Sequence, residues 1–123
     1  MTEYSRGDTV LVNFIFSDET GARRRPAVIV SSDTYHQGRQ EIIIAAVTSR
    51  TDRILMGDHL IKDWEGAGLL FPSVVTAIIR TIKQGMVTRK LGIVPKADMD
   101  AINDNLRVVL GLNNSGDTII NYI

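Results

Sequence analysis

Cysteine is absent from the 123-residue sequence, which excludes a disulfide framework, a thiolate metal site and a cysteine nucleophile. A net charge is absent too, because 14 basic side chains balance 14 acidic ones. Global electrostatics therefore predict neither nucleic-acid binding nor attraction to a membrane. Any site for a polyanion has to be a local cluster of charge.

The sequence also lacks a long uncharged run, and its N-terminus lacks a basic segment followed by an apolar one. A membrane-spanning helix needs roughly 18 uncharged residues in a row. A signal peptide needs a basic segment followed by an apolar one. We expect no contact with a membrane and a cytoplasmic location, which the absence of cysteine fits.

Motifs for nucleotide and metal chemistry are missing as well. There is no glycine loop that would cradle phosphates and no pair of histidines at metal-binding spacing. We therefore expect neither a cofactor nor a metal ion at the site.

What is present is the composition of one ordinary globular domain, with 44% hydrophobic and 23% charged residues. Apolar residues at three- and four-residue spacing after Pro95 predict an amphipathic helix that ends at Gly111. Alternating or continuous apolar patterns predict strands at residues 9–16, 26–30, 42–47, 59–61 and 87–93, with two short ones within residues 69–82.

The remaining segments complete this outline. Residues 17–24 and 31–39 are predicted loops, residues 62–67 a turn of helix, and residues 118–123 a last strand or a segment that packs on a partner chain. Many strands with one terminal helix indicate a mainly β protein, either a small antiparallel barrel or a curled sheet with a helix against it.

The strongest sign of chemistry is the run Arg23, Arg24, Arg25, Pro26, where a loop enters a buried strand. A basic loop is often only solvated. Alternatively it binds phosphate, since a guanidinium stays charged and donates paired hydrogen bonds, and Arg25 would stabilise charge developing on phosphorus. Other basic residues could extend this patch: Arg50, Arg53, Arg80, Lys83, Arg89 and Lys90.

Other polar residues have two interpretations each. Thr48 ends the most buried strand, so its hydroxyl could donate to a phosphate oxygen, although threonine there is commonly a packing or turn residue. His36 and His59 could be a general base or acid, or ordinary surface residues. Glu19 could pair with the arginines or act as a carboxylate base. Trp64 fits a core or interface anchor better than a base-stacking surface.

A succession of short segments carries a family resemblance. They are Arg6-Gly-Asp, Val10-Leu-Val-Asn-Phe, Arg25-Pro-Ala-Val-Ile-Val and Ile44-Ala-Ala-Val-Thr-Ser, followed by residues 60–64, 67–70, 72–75, 79–82 and 89–92. In this order and spacing they resemble the MazF/PemK family of toxin endoribonucleases. The resemblance covers about residues 6–112.

The resemblance implies an SH3-like antiparallel β-barrel with a C-terminal helix and a toxin domain over residues 1–112. Residues 113–123 have no counterpart in the family and are expected to be a C-terminal extension of the same domain. It implies a homodimer and a MazE-like antitoxin whose tail covers the RNA groove. The implied reaction is metal-independent, sequence-selective cleavage of single-stranded RNA. The 2′-hydroxyl attacks the adjacent phosphorus and leaves a 2′,3′-cyclic phosphate and a 5′-hydroxyl end.

The family's Arg-Pro arginine and the threonine that ends its third strand fall on Arg25 and Thr48, which implies catalytic roles for both. Arginine is an awkward proton carrier because of its high pKa, so the general base stays open, with Glu19 first and His36 second. Relatives commonly carry Glu where this chain has Thr20. Contacts with RNA are expected from Arg23, Arg24, Ser49, Arg50, Arg53 and Arg80.

Two other functions stay open at this point. One is a toxin of the same fold that inhibits a protein target, as CcdB-type gyrase inhibitors do, and the retained Arg25 and Thr48 argue against it. The other is a degenerate member that binds RNA or antitoxin without cutting. The zero net charge favours that possibility and the local arginines oppose it.

Overall fold

The computed structural model describes residues 4–15 and 22–112, in which six strands form one antiparallel sheet in the order β4-β5-β3-β2-β1-β6. The strands are β1 (Asp8–Ile15), β2 (Ala22–Ile29), β3 (Glu41–Thr48), β4 (His59–Leu60), β5 (Val74–Lys83) and β6 (Val87–Ile93). Two helices, α1 (Asp33–His36) and α2 (Lys96–Leu110), complete the chain together with a 3-10 turn at Gln84–Met86.

Both faces of the curled sheet carry a core, because side chains alternate between faces along each strand. In β3, Ile42 and Ile44 pack into one apolar cluster, while Ala45 and Val47 pack into the other. Helix α2 covers the second cluster through Ile102. The central strands are therefore held from both sides, which fixes the position of the residues at their ends.

The strand β5 contains a bulge opposite Ala46. The register runs from Ala45–Ile79 to Val47–Val75, so three residues of β5 face one residue of β3. The Thr76 hydroxyl compensates for the interrupted ladder by donating to the Ala46 carbonyl at 2.8 Å and accepting the Ile78 N–H at 3.2 Å. Such a bulge bends a strand and re-aims its side chains.

Two glycines allow residues 67–68 to pack closely against β6 without pairing with it as a strand. A Cβ on Gly68 would lie 2.1 Å from the Leu91 carbonyl oxygen, and one on Gly92 would lie 2.6 Å from the Ala67 carbonyl oxygen. Gly68 also has a φ of +83°, a conformation that favours glycine. Residues 67–68 thus press directly on the backbone of the edge strand β6.

The helix α2 confirms the prediction that follows Pro95, and it ends where Gly111 adopts a φ of +69°. The Leu112 N–H then bonds to the Arg107 carbonyl at 2.8 Å, which caps the helix. Within the described part of the chain, no helix has both the length and the apolar character needed to cross a membrane.

The mainly β architecture with a C-terminal helix is confirmed, but several local predictions are wrong. Residues 22–24 are strand rather than loop, because they pair with β1. Residues 74–83 form one strand where two were predicted, since Pro72 precedes the strand instead of interrupting it. The turn of helix predicted at residues 62–67 is present as a turn at residues 64–68, in which the Ala67 N–H bonds to the Asp63 carbonyl at 3.1 Å. The predicted loop 31–39 contains α1, capped by Ser32. The predictions for residues 17–21, 113–117 and 118–123 fall outside the described residues.

Replacing Gly68 with Ala should lower the free energy of unfolding by about 2 kcal/mol or more, because the methyl group meets the β6 backbone and the residue needs a positive φ. Chemical denaturation would measure this. Gly85→Ala is the control, since nothing lies within 4 Å of a Cβ there. Equal stability of the two variants would refute this account of closure.

Candidate active site

A proline opens the sheet at the place where the predicted catalytic residues lie. The ladder between β2 and β3 pairs Ala27 with Ala46, Val28 with Ala45 and Ile29 with Ile44, and it does not extend to Pro26. Proline lacks the N–H that would continue it. Continued by two residues, this register sets Arg25 opposite Thr48, so the two strands separate with both residues at the opening.

The opening leads to a pocket of about 500 Å³. Its floor is a row across three strands, in which Leu11 of β1 pairs with Pro26 of β2 and with Arg89 of β6. The other walls come from the end of β3 and from the segment that precedes β5. Their residues are Val47, Thr48, Ser49, Gly68, Leu69, Leu70, Phe71 and Ser73, with Arg25 and Leu91 completing the lining.

Thr48 is half-buried, and its hydroxyl oxygen accepts the Arg50 backbone N–H at 3.1 Å. This bond orients the oxygen and leaves the hydroxyl hydrogen available to donate into the pocket. Ser49, which follows, is exposed and also lines the pocket. Two hydroxyl groups therefore stand at one end of a strand that is buried on both faces.

The charge in the pocket is positive and lacks a counter-ion among the described residues. Arg25 and Arg89 are both exposed, and neither guanidinium has a hydrogen-bond or ion-pair partner in residues 4–15 and 22–112. Lys90, next to Arg89, is different, because its ammonium group lies 3.3 Å from the Asp8 carboxylate. The pocket thus presents two cations and two hydroxyls to an incoming anion, a combination that suits a phosphodiester.

Comparisons with known proteins show the family and the fold. A family model described as a PemK-like, MazF-like toxin of type II toxin-antitoxin systems matches residues 5–110. The chain belongs to this family. It is 36% identical to endoribonuclease MazF6 of Mycobacterium tuberculosis over 94 residues, which are 74% of this chain and 82% of that protein.

Two further matches cover more of the chain. Endoribonuclease MazF of Staphylococcus epidermidis is 29% identical over 112 residues, which are 89% of this chain and 92% of that protein. The solved MazE-MazF structure from Deinococcus radiodurans superposes with a TM-score of 0.76 and 19% identity, covering 92% of this chain and 100% of that one. The structural match shows that the fold is shared.

In this MazF-like chain, the pocket brings together three of the predicted site residues, Arg25, Thr48 and Ser49. Arg80 does not line it, and its guanidinium lies instead over the Phe14 ring, 5.0 Å from the centroid. Arg23 pairs with Phe14 in the β1–β2 register. These two arginines therefore flank the same aromatic side chain, outside the pocket.

The other predicted RNA contacts are exposed residues that do not line the pocket. Arg24 pairs with Asn13 in the register, and Arg50 lies 3.5 Å from the Asp52 carboxylate. Arg53 is exposed on the loop that follows. Glu19, the first candidate for general base, lies outside the described residues.

Both histidines are engaged elsewhere. His36 is 1% exposed, does not line the pocket, and its Nε2 lies 2.5 Å from the Ser31 hydroxyl, so the expected exposure of this residue is wrong. The helical turn α1 places it under the surface beside β3. His59 bonds through Nε2 to the Asp98 carboxylate at 2.7 Å. Neither histidine lines the pocket.

The pocket also contains residues that sequence reasoning did not select. Arg89 was expected only as an extension of the basic patch, and Leu70 and Phe71 were assigned to a predicted strand. No local sequence pattern marks Leu70 and Phe71 as pocket residues, because they reach the pocket only when residues 67–68 pack on β6. Pro72 was the single hint that the chain leaves regular structure there.

The Asp98 carboxylate joins α2 to the segment after β4. It is 2% exposed and accepts hydrogen bonds from the Lys62 N–H at 2.9 Å and the Asp63 N–H at 3.2 Å, in addition to His59. Burial alone would raise the pKa of Asp98, but these hydrogen bonds outweigh it and the pKa lies below its ordinary value. The stabilisation is thus complete at neutral pH and is lost as the pH falls through the lowered pKa.

Asp98→Asn should lower the free energy of unfolding by about 1 to 3 kcal/mol at neutral pH and flatten its decline toward acid pH, because the amide cannot ionise. Denaturation midpoints from pH 3 to 7 would measure both effects. Asp100→Asn is the matched control, since its exposed pair with Lys96 contributes less than about 1 kcal/mol. Parallel pH curves for Asp98→Asn and the wild type would contradict the role of the carboxylate.

Proposed function

We propose that this protein is the toxin of a type II toxin-antitoxin system and an endoribonuclease that cleaves single-stranded RNA. The observation that carries the proposal is one pocket that contains Arg25, Thr48 and Ser49, with cations that have no counter-ion among the described residues. The relatives named endoribonucleases in the same family support it. A cytoplasmic location follows from the substrate, since messenger RNA is found there.

The reaction needs no group other than the chain's own residues. The RNA 2′-oxygen attacks phosphorus, and the bond from phosphorus to the 5′-oxygen breaks. The departing 5′-oxygen takes up a proton from water, so a 2′,3′-cyclic phosphate and a 5′-hydroxyl remain. Arg25 stabilises the negative charge that develops on the phosphoryl oxygens, and Thr48 donates a hydrogen bond that positions one of them. Ser49 contacts the same phosphate.

A base must accept the proton of the 2′-hydroxyl, and we propose Glu19 for this role. In the sequence it lies between β1 and β2, six residues before Arg25. A carboxylate is a suitable acceptor near neutral pH, whereas a guanidinium is not. The burial of His36 removes the second candidate.

The longer path of the RNA is proposed to follow the exposed arginines around the pocket. Arg23 and Arg24 lie on β2, Arg80 lies on β5 with its guanidinium over the Phe14 ring, and Arg50 and Arg53 follow the end of β3. Contacts of this kind with phosphates position a strand without reading its bases. A MazE-like antitoxin would occupy the same surface and exclude RNA from it.

Arg25→Ala and Thr48→Val should each lower kcat for RNA cleavage by about 100-fold or more, since each removes one donor to the developing charge. The assay uses a long single-stranded RNA in excess chelator, with analysis of the new ends. Arg39→Ala is the control, because it removes an exposed arginine that stacks on Tyr35 outside the pocket. Wild-type protein that leaves the RNA intact would refute the nuclease and favour a protein target.

We also propose a homodimer, formed through an apolar face at the C-terminal end of α2. The exposed residues there are Ile54, Leu55, Met56, Ile78, Val108, Leu110 and Leu112. The end of α2, the loop before β4 and β5 meet there, because Gly57 lies against Val109 and Ala77, and Asn105 donates to the Asp58 carbonyl at 3.2 Å. An apolar patch of this kind marks an interface in a globular protein.

Val108→Asp should convert the dimer to a monomer at micromolar concentration, because the carboxylate would be buried without a partner. Light scattering during size-exclusion chromatography measures the mass. Ile93→Asp is the control, since Ile93 is also exposed but lies on β6, away from this face. A dimeric Val108→Asp would place the interface elsewhere.

A further inference from the structure

The side chain of Phe71 is aromatic and solvent-exposed, and it lies in the wall of the cationic pocket. It is 63% exposed, and its neighbour Leu70 is 81% exposed. No other aromatic residue in the described ranges 4–15 and 22–112 is classed as exposed. Both side chains lie outside the two core clusters, so packing among the described residues does not explain them.

The backbone on both sides of Phe71 is fixed. Leu69 is buried, and its N–H bonds to the Trp64 carbonyl at 3.0 Å. The Phe71 carbonyl accepts the buried Ser73 hydroxyl at 2.7 Å, and the following Pro72 restricts the Phe71 backbone further. The Ser73 carbonyl in turn accepts the Ile61 N–H at 3.0 Å. The ring is therefore presented from a rigid segment.

The same pocket places this ring with Arg25 and Arg89, whose guanidiniums have no ionic partner in the described part of the chain. A flat apolar surface next to cations matches a nucleotide, which has an aromatic base attached to a phosphate. Stacking on an aromatic side chain requires a base whose face is free, as in single-stranded RNA. Duplex bases have both faces covered by their neighbours.

We propose that Phe71 stacks on an unpaired base next to the scissile phosphate and thereby favours single-stranded over duplex substrates. This inference rests on the proposed nuclease function and adds a binding residue to it. Stacking is equally strong before and during bond cleavage, so it contributes to KM and leaves kcat nearly unchanged.

The test uses a short RNA that contains one cleavage site mapped on a longer RNA. Phe71→Ala should raise KM by about 5- to 100-fold with little change in kcat, whereas Phe71→Trp should keep KM near that of the wild type. Phe71→Leu keeps the apolar character without the aromatic face and should resemble Phe71→Ala. Ile93→Ala is the control, because it truncates an exposed apolar residue outside the pocket.

A second series of substrates identifies the RNA base that stacks on Phe71. Replacing each nucleotide beside the scissile phosphate in turn by an abasic one should raise KM for the wild type at one position. At that position the abasic nucleotide should not raise KM further for Phe71→Ala, because the stacking is already lost.

The outcomes distinguish a failure of the stacking proposal from a failure of the proposed nuclease function. A wild type that cuts no RNA refutes the nuclease, and the stacking falls with it. A wild type that cuts, with a KM that Phe71→Ala does not change, refutes the stacking alone and assigns the exposed ring to a protein contact. Abasic effects that are equal in the wild type and in Phe71→Ala would also refute it.

Discussion

Pro26 has no backbone N–H, and the ladder between β2 and β3 begins only at Ala27. Beyond this point Ala27, Val28 and Ile29 of β2 are buried on both faces of the sheet, as is most of β3, so the separation of the strand ends does not loosen the core. It exposes strand ends whose side chains are still held by the sheet behind them. Arg25 and Thr48 occupy those ends, and a site built on rigid elements keeps its geometry better than one built on loops. The pocket therefore depends on one missing hydrogen-bond donor.

The protein can bind a polyanion despite its zero net charge, because some of its basic side chains lie near carboxylates and others do not. Lys90 and Arg50 each lie near a carboxylate, whereas Arg25 and Arg89 have no such partner among the described residues. Charge that is neutralised on the surface contributes little to the field in the pocket, whereas the guanidiniums of Arg25 and Arg89 both line it. Local pairing, and not total charge, decides what the pocket attracts.

The sequence predicted the parts of this molecule that depend on neighbouring residues. The helix after Pro95 and the strand ending at Thr48 follow from local periodicity, and Arg25 was found because it stands directly before a proline. His36 could not be placed, because only the packing of α1 against β3 buries it. Phe71 could not be placed either, since it reaches the pocket through contacts between residues 67–68 and β6.

The bulge in β5 explains how one strand serves two separate surfaces. Ser73, just before the strand, lines the pocket, while Ile78, within the bulge, belongs to the apolar face near the end of α2. Without the extra residues, the β3–β5 ladder would run straight between them. The Thr76 hydroxyl satisfies backbone groups on both strands, so the bend costs few hydrogen bonds. A partner that covers the apolar face would therefore leave the pocket open to RNA, because the two surfaces share no residue.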